Sequence, residues 1–410
     1  MYKSVKNCRI CGNENLVRIL DLGTQMLTGV FPKTKDAKVT SGPLQLVKCM
    51  GENVCGLVQL EHSYNLSEMY GLNYGYRSGL NKSMVEHLHS KIAKILTMVK
   101  LNAGDLVIDI GSNDSTTLQA YTKNGLILVG IDPTGVKFHS HYPPHIQLIP
   151  DFFSSDLIRK YFPAKKAKVV TSFSMFYDLE DPVEFMQDIH EILDDDGVWI
   201  FEQSYMPMML STNSFDTVCH EHLEFYTLKQ IKYMADKVGF HIVDVELNDV
   251  NGGSFSITVR KTREGDSLSS SVQDLLDQEQ ALGLDTLEPF VAFEMRIQTA
   301  KKELLKFLSH AKAQGKKVAA LGASTKGNVL LQYCGLTEND IQVVGEVNSE
   351  KFDCFTPGTW IPIIPEENLL ASKPDYLIVL PWHFRNFFIG NPKFAGIKLV
   401  FPLPQLEVVG

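Results

Sequence analysis

Short apolar runs that end in a glycine or an acidic residue, each followed by a stretch with helical spacing, recur through the middle of the chain. Residues 106–110 (LVIDI) read as a buried parallel strand that turns sharply at Gly111 into a helix opening on small polar residues. Residues 127–132 repeat the run and close on Asp132, and further strands are predicted at 146–149, 167–172 and 198–202. Upstream, Met84, Val85, Leu88, Ile92, Ile95 and Leu96 predict an amphipathic helix over 81–101. Helices are predicted over 182–193 and 228–239, and Asn251-Gly252-Gly253-Ser254 turns the chain into a strand at 255–260. A polar stretch at 261–275 marks a boundary, and a long helical pattern follows to about residue 313. Strands at 317–323, 341–347, 376–380 and 398–401 then form a second, smaller alternating unit. Alternation of this kind specifies an α/β architecture with parallel sheets.

At 410 residues the chain can hold two or three domains with ample core, and the expected division is 1–75, 76–262 and 263–410. Lys+Arg 39 against Asp+Glu 48 leaves a net charge of −9, with no long basic run to offset it. That balance argues against a partner gripped through nucleic-acid phosphates. No apolar run approaches 18 residues and no leader pattern opens the chain, so the expectation is a cytoplasmic monomer without a membrane partner. Seven cysteines are too few for a secreted disulfide framework, yet four of them cluster near the N-terminus.

Those four are Cys8-x2-Cys11-Gly12 and Cys49-x5-Cys55-Gly56. The first pair is a zinc knuckle, and the looser second pair suits the other half of one closed, structural four-cysteine site. Four free thiols, or Glu52 as an alternative ligand, are the competing readings. At the first β-α turn only Gly111 of a G-x-G-x-x-G fingerprint is present, and Asn113 stands where a second glycine would admit a pyrophosphate. This points to a nucleoside ligand without phosphates, of which S-adenosylmethionine is the commonest; a tight turn with no ligand is the alternative. Asp132, 23 residues beyond Asp109, can accept ribose hydroxyls, while Asp151 and Phe152 suit the amine and face of an adenine.

Residues 64–80 are rich in tyrosine and glycine, and Tyr70, Tyr74 and Tyr76 either present phenols or pack as an aromatic loop. Residues 213–226 hold Asp216, Cys219, His220, Glu221, His222 and Glu224, the densest titratable cluster. The H-x-H spacing lacks a third metal ligand at zincin distance, so an imidazole general base is the sharper reading and partly buried loop histidines the plainer one. At the second unit, Ser324-Thr325-Lys326-Gly327-Asn328 opens a helix that could hold a diphosphate or simply turn the chain; it is not a P-loop.

The order CRICG, YGYRSG, D-T-x-x-H-E-H, N-G-G-S, GAxxKGN, PGT and LPW resembles the sugar C-methyltransferases that act on nucleotide-linked deoxysugars, over essentially the whole chain. The resemblance implies a zinc-binding N-terminal domain (1–75), a Rossmann-like class I methyltransferase domain (76–262) and a smaller C-terminal α/β domain for the nucleotide part of the substrate (263–410). The implied reaction is methyl transfer to C3 of a nucleoside-diphosphate-linked 4-keto-6-deoxyhexose. His222 would be the base, Glu221 its tuning partner, and Tyr76, with Tyr74 nearby, would meet the sugar ketone. Asp109, Gly111, Asn113 and Asp132 would hold the donor, with Asp151, Phe152 and Ser174 near its adenine. Lys326 and Asn328, aided by Asn348 and Arg385, would meet the diphosphate or base, and Asn251 would lie near the reacting sugar. The chain departs from the family in Cys219 where tyrosine is usual, in Ser174-Met175…Asp178, in Asn251 opening N-G-G-S, and in the stretched cysteine pair. O- or N-methylation of a related nucleotide sugar, or donor binding without catalysis, are the rival functions.

Overall fold

The computed structural model describes residues 2–69 and 75–410; Tyr70 and Tyr74 of the aromatic loop lie outside the described residues. The central sheet has seven strands. Numbered in chain order they are Leu106–Ile110, Ile127–Ile131, Ile146–Ile149, Ala167–Phe173, Leu193–Ser204, Phe240–Asn248 and Ser254–Lys261. Their spatial order is 3-2-1-4-5-7-6, all parallel except the seventh. This is the expected Rossmann-like methyltransferase sheet. All five residues of Leu106–Ile110 are buried, because helices cover both faces of a parallel sheet. The chain runs outward through strands 1, 2 and 3 and then crosses back to strand 4, so the crevice where ligands of such sheets sit opens beyond Ile110 and Phe173.

Local signals set the flanking helices. Asp181 caps Pro182–Ile192 by accepting the Glu184 amide, with proline in the first turn. Thr227 and Gln230 form a capping box at Leu228–Val238, and Gly239 ends that helix in the left-handed region. The reading from sequence named no strand at Phe240–Asn248; its alternating burial marks a half-exposed edge, where apolar and charged residues interleave. Helix Ser270–Ala281, beyond the polar stretch, packs on this side: buried Glu279 accepts the Leu228 and Lys229 amides and the Tyr205 hydroxyl.

The C-terminal sheet runs Val318–Leu321, Val344–Glu346, Ile363–Pro365, Tyr376–Val379, Lys398–Phe401 and Glu407–Val409 in chain order, and 3-2-1-4-5-6 in space, with only the last strand antiparallel. The N-terminal lobe is an antiparallel sheet of Leu16–Met26, Ser41–Cys49 and Val58–Leu60, completed by Glu224–Phe225 from the H-E-H segment. The lobe has little core of its own. Leu20, Leu22, Leu44 and Leu46 share one apolar cluster with Leu321 and Leu330 of the C-terminal domain, while Ile10 and Leu57 join the methyltransferase core. Each such buried leucine is worth about 1.5–3 kcal/mol, so the three parts are held in one packed body.

Candidate active site

At the N-terminal knuckle the four cysteine sulfurs lie within 4.8 Å of one another. The Cys8–Cys55 and Cys11–Cys49 separations are 3.3 and 3.6 Å, close to the roughly 3.8 Å between ligands of a tetrahedral zinc thiolate. The long x5 spacing closes because Gly51, Asn53 and Gly56 take positive φ and fold residues 50–54 back on themselves. Asn13 donates to the Cys49 sulfur, and hydrogen bonding from Cys55 and the Cys11 and Ile10 amides lowers the Cys8 thiol to about 5. Four converging sulfurs, one already drawn toward thiolate, fit zinc.

The donor crevice begins at Gly111, whose φ of 72° brings it under Met175; a Cβ there would meet the Met175 side chain at 3.0 Å. Asp109 is buried, accepts the Thr171 hydroxyl and is raised to about 7 by burial, so it braces the loop from inside. Asn113, also at positive φ, donates its amide to Asp132, whose other oxygen receives the Thr134 amide and hydroxyl. The oxygen bonded to Asn113 keeps a further lone pair for a ribose hydroxyl, while Thr134 occupies both lone pairs of the other. Asp151 and Phe152 stand exposed at the end of the third strand, Phe152 at 53%. An open carboxylate beside an uncovered ring fits an adenine. Ser174, at φ 55°, donates its amide to the Glu202 carbonyl on the far wall.

The aromatic loop returns to this crevice. The Asn113 side chain donates to the Tyr76 carbonyl and accepts the Ser78 amide, and Asp114 accepts the Gly79 amide. Tyr76 is thereby anchored on the donor loop with its own side chain half-exposed. Asp114 was not singled out from sequence; its role as an anchor depends on a segment 35 residues away.

The H-E-H segment meets the C-terminal domain and the N-terminal lobe at one junction. His222 donates Nδ1–H to the Thr217 carbonyl at 2.8 Å and packs, tilted by 59°, against the Tyr177 ring with centroids 4.3 Å apart. That bond selects the neutral tautomer whose free lone pair is on Nε2. Burial, and secondarily the Lys326 charge, lower the imidazole to about 3, so it is uncharged at neutral pH. Glu221 is raised by burial, and its Oε1 occupies the space where a Cβ on Gly29 would sit, 2.5 Å away. Lys326 reaches across to the Asn251 carbonyl at 2.7 Å, which the left-handed conformation of Asn251 turns toward it. Asp216 accepts the Trp382 indole N–H at 2.8 Å, tying the same segment to the LPW loop. His383, in that loop, is lowered to about 3 by burial and Lys326.

Three predicted substrate residues are differently engaged. Asn328 is fully buried and donates to the Thr28 carbonyl, fastening its helix to the N-terminal lobe. Asn348 donates to the Gly75 carbonyl, and Arg385 is taken by both carboxylate oxygens of Glu407. The site residues missed from sequence, Tyr177, Thr217 and Gly29, act through a ring face, a main-chain carbonyl and a missing side chain, none of which has a motif.

The chain is similar to known proteins along its length. Residues 8–70 match a family described as a zinc binding domain, 84–245 a methyltransferase domain, and 249–404 the C-methyltransferase C-terminal domain. The chain is 26% identical over 415 residues to the C-methyltransferase NovU of Streptomyces niveus, covering 100% of this chain and 98% of that one. Among solved structures, the complex between the Haloferax volcanii Trm112 methyltransferase activator and a methyltransferase matches at 15% identity and a TM-score of 0.37, over 45% of this chain and 95% of that one. The CcbJ methyltransferase of Streptomyces caelestis matches at 10% identity and 0.34, over 43% and 90%. The fold assignment rests on the strand order itself. No helix among the described residues is long and apolar enough to cross a membrane. The chain thus carries a zinc-binding domain, a methyltransferase domain and the C-methyltransferase C-terminal domain in this order, the make-up of an S-adenosylmethionine-dependent C-methyltransferase.

Proposed function

We propose that the protein methylates C3 of a nucleoside-diphosphate-linked 4-keto-6-deoxyhexose, as a cytoplasmic monomer, with His222 as the base. The observation that carries this reading is the imidazole of His222: neutral, its Nδ1 tied to a carbonyl, its Nε2 free, beside a lysine from another domain. A neutral imidazole with a free Nε2 can take the C3 proton, which the adjacent ketone acidifies. The C–H electron pair becomes a C3=C4 enolate with its charge on O4. Tyr76 donates a hydrogen bond to that oxygen, where charge develops. The donor supplies an electrophilic methyl on a sulfonium; as the C3–CH3 bond forms, the S–CH3 pair returns to sulfur. Lys326 meets the diphosphate, and an anion there offsets the lysine charge that, after burial, is the second cause of the lowered basicity of His222. Asp109, Gly111, Asn113, Asp132, Asp151, Phe152 and Ser174 form the donor crevice, and Cys8, Cys11, Cys49 and Cys55 hold the zinc. Asn251 serves the sugar side through its carbonyl.

The test is His222→Ala assayed with labelled donor and a panel of 4-keto-6-deoxy nucleotide sugars. Donor binding stays within about twofold of the parent, while turnover falls by at least 100-fold, roughly the contribution of a general base. Solvent deuterium enters C3 only when His222 is present. Unchanged turnover in His222→Ala refutes the base; deuterium-free substrate with methyl on a hydroxyl would establish O-methylation instead.

A further inference from the structure

The C-terminal sheet has a ligand crevice of its own. Its 3-2-1-4-5-6 order places a switch point between Val318–Leu321 and Tyr376–Val379, at their carboxyl ends. Gly322, at φ 80°, makes the turn there so tightly against Pro381 that a Cβ would sit 2.7 Å from the ring. Twenty-four residues beyond Gly322, the second strand ends in Glu346, the position from which a carboxylate takes ribose hydroxyls. Glu346 is 8% exposed, and its Oε1 receives the Val347 and Asn348 amides at 2.7 and 2.9 Å. Those bonds aim the group and leave Oε2 without a hydrogen bond among the described residues.

Two lysines flank the same turn. Lys326 hydrogen-bonds the Asn251 carbonyl and Lys351 the Ala323 carbonyl, each at 2.7 Å. Neither forms an ion pair among the described residues, and Lys351 is further enclosed by the Phe31 ring at 4.5 Å. A recessed ammonium held only by a neutral carbonyl is costly unless an anion completes its surroundings. Burial lowers both, while the Asp216 carboxylate acts in the opposite direction on Lys326 and that of Glu346 on Lys351. The sequence His222, Lys326, the 322–326 turn, Lys351, Glu346 therefore runs from the reacting sugar outward.

We propose that this edge holds a ribonucleoside diphosphate, with Lys326 and Lys351 on its phosphates and Glu346 on its ribose 2′-hydroxyl. The inference rests on the nucleotide-sugar reading and narrows it to a carrier with a 2′-hydroxyl. The experiment is calorimetric titration of the full chain with GDP, UDP and CDP, each against its 2′-deoxy counterpart and against thymidine diphosphate. At least one ribonucleoside diphosphate binds about tenfold more tightly than its 2′-deoxy form, the worth of one charge-assisted hydrogen bond. Glu346→Gln shrinks that ratio to about twofold, and Lys351→Met weakens both forms by about tenfold with the ratio unchanged. S-adenosylmethionine affinity, unchanged in both variants, reports that the protein is folded. Equal binding of ribo and deoxy forms, or equal loss of both in Glu346→Gln, overturns the role of Glu346 alone. Absence of binding by every nucleoside diphosphate overturns it together with the nucleotide-sugar reading.

Discussion

His222 owes its readiness to its neighbours more than to its own identity. The Thr217 carbonyl fixes the tautomer and Tyr177 holds the ring. Glu221, beside it in sequence, is enclosed by a different domain: Gly29 leaves room for its Oε1. Gly29 is outside the left-handed region, so alanine is tolerated by the backbone and acts only through that contact. Gly29→Ala is expected to cost about 1 kcal/mol of stability or less, since the end of a glutamate can shift, yet to lower kcat about tenfold. Steady-state kinetics beside thermal unfolding checks this; an unchanged kcat would show that Glu221 does not act in the reaction. The residues with motifs, Asp109, Asp132, His222 and Lys326, were legible in the sequence because their chemistry is in their side chains. Gly29 and Thr217 were not, since an empty space and a carbonyl leave no mark in one-letter code.

Among elements, the N-G-G-S turn does more than reverse the chain. It joins strands Phe240–Asn248 and Ser254–Lys261, and it presents the Asn251 carbonyl to Lys326. Its geometry needs glycine at Gly253, where φ is 122° and a Cβ would fall 2.6 Å from that of Met208. Gly253→Ala should cost about 2–4 kcal/mol and reduce turnover by withdrawing that carbonyl, with donor affinity within about twofold. Denaturant unfolding and donor titration read the two effects separately, and a fully active, equally stable variant would contradict the argument. The turn was visible in the sequence as a glycine pair, whereas the edge strand before it was missed. Interleaved polar and charged residues at 241, 244 and 246 hide a strand whose outer face is wet. The same spacing rule that links Gly111 to Asp132 also links Gly322 to Glu346, so that second pairing was equally legible.

At the scale of the molecule, the zinc lobe and the reacting segment are one construction. Strand Glu224–Phe225 pairs with Val58–Leu60, and Arg9, inside the Cys8–Cys11 knuckle, faces Glu224 at 3.5 Å. Arg9 also donates to the Leu60 carbonyl and the Ser63 hydroxyl. Zinc removal therefore loosens the H-E-H segment although the ion takes no part in methyl transfer. Chelation is expected to lower the Tm and to reduce kcat by about tenfold or more, both restored by stoichiometric zinc. Full activity in metal-free protein would show the lobe to be independent of the site.

The sequence by itself determined the α/β alternation, the donor loop, the knuckle and the identity of the chemistry-bearing side chains, because periodicity and motif spacing are local properties. Only the tertiary structure decided which of those side chains meet. It turned Asn328 inward and gave Arg385 to Glu407, and it brought Gly29, Glu221 and Lys326 from three domains to one junction. Contacts between residues a hundred or more positions apart depend on how whole sheets pack, and no short window of sequence encodes that packing.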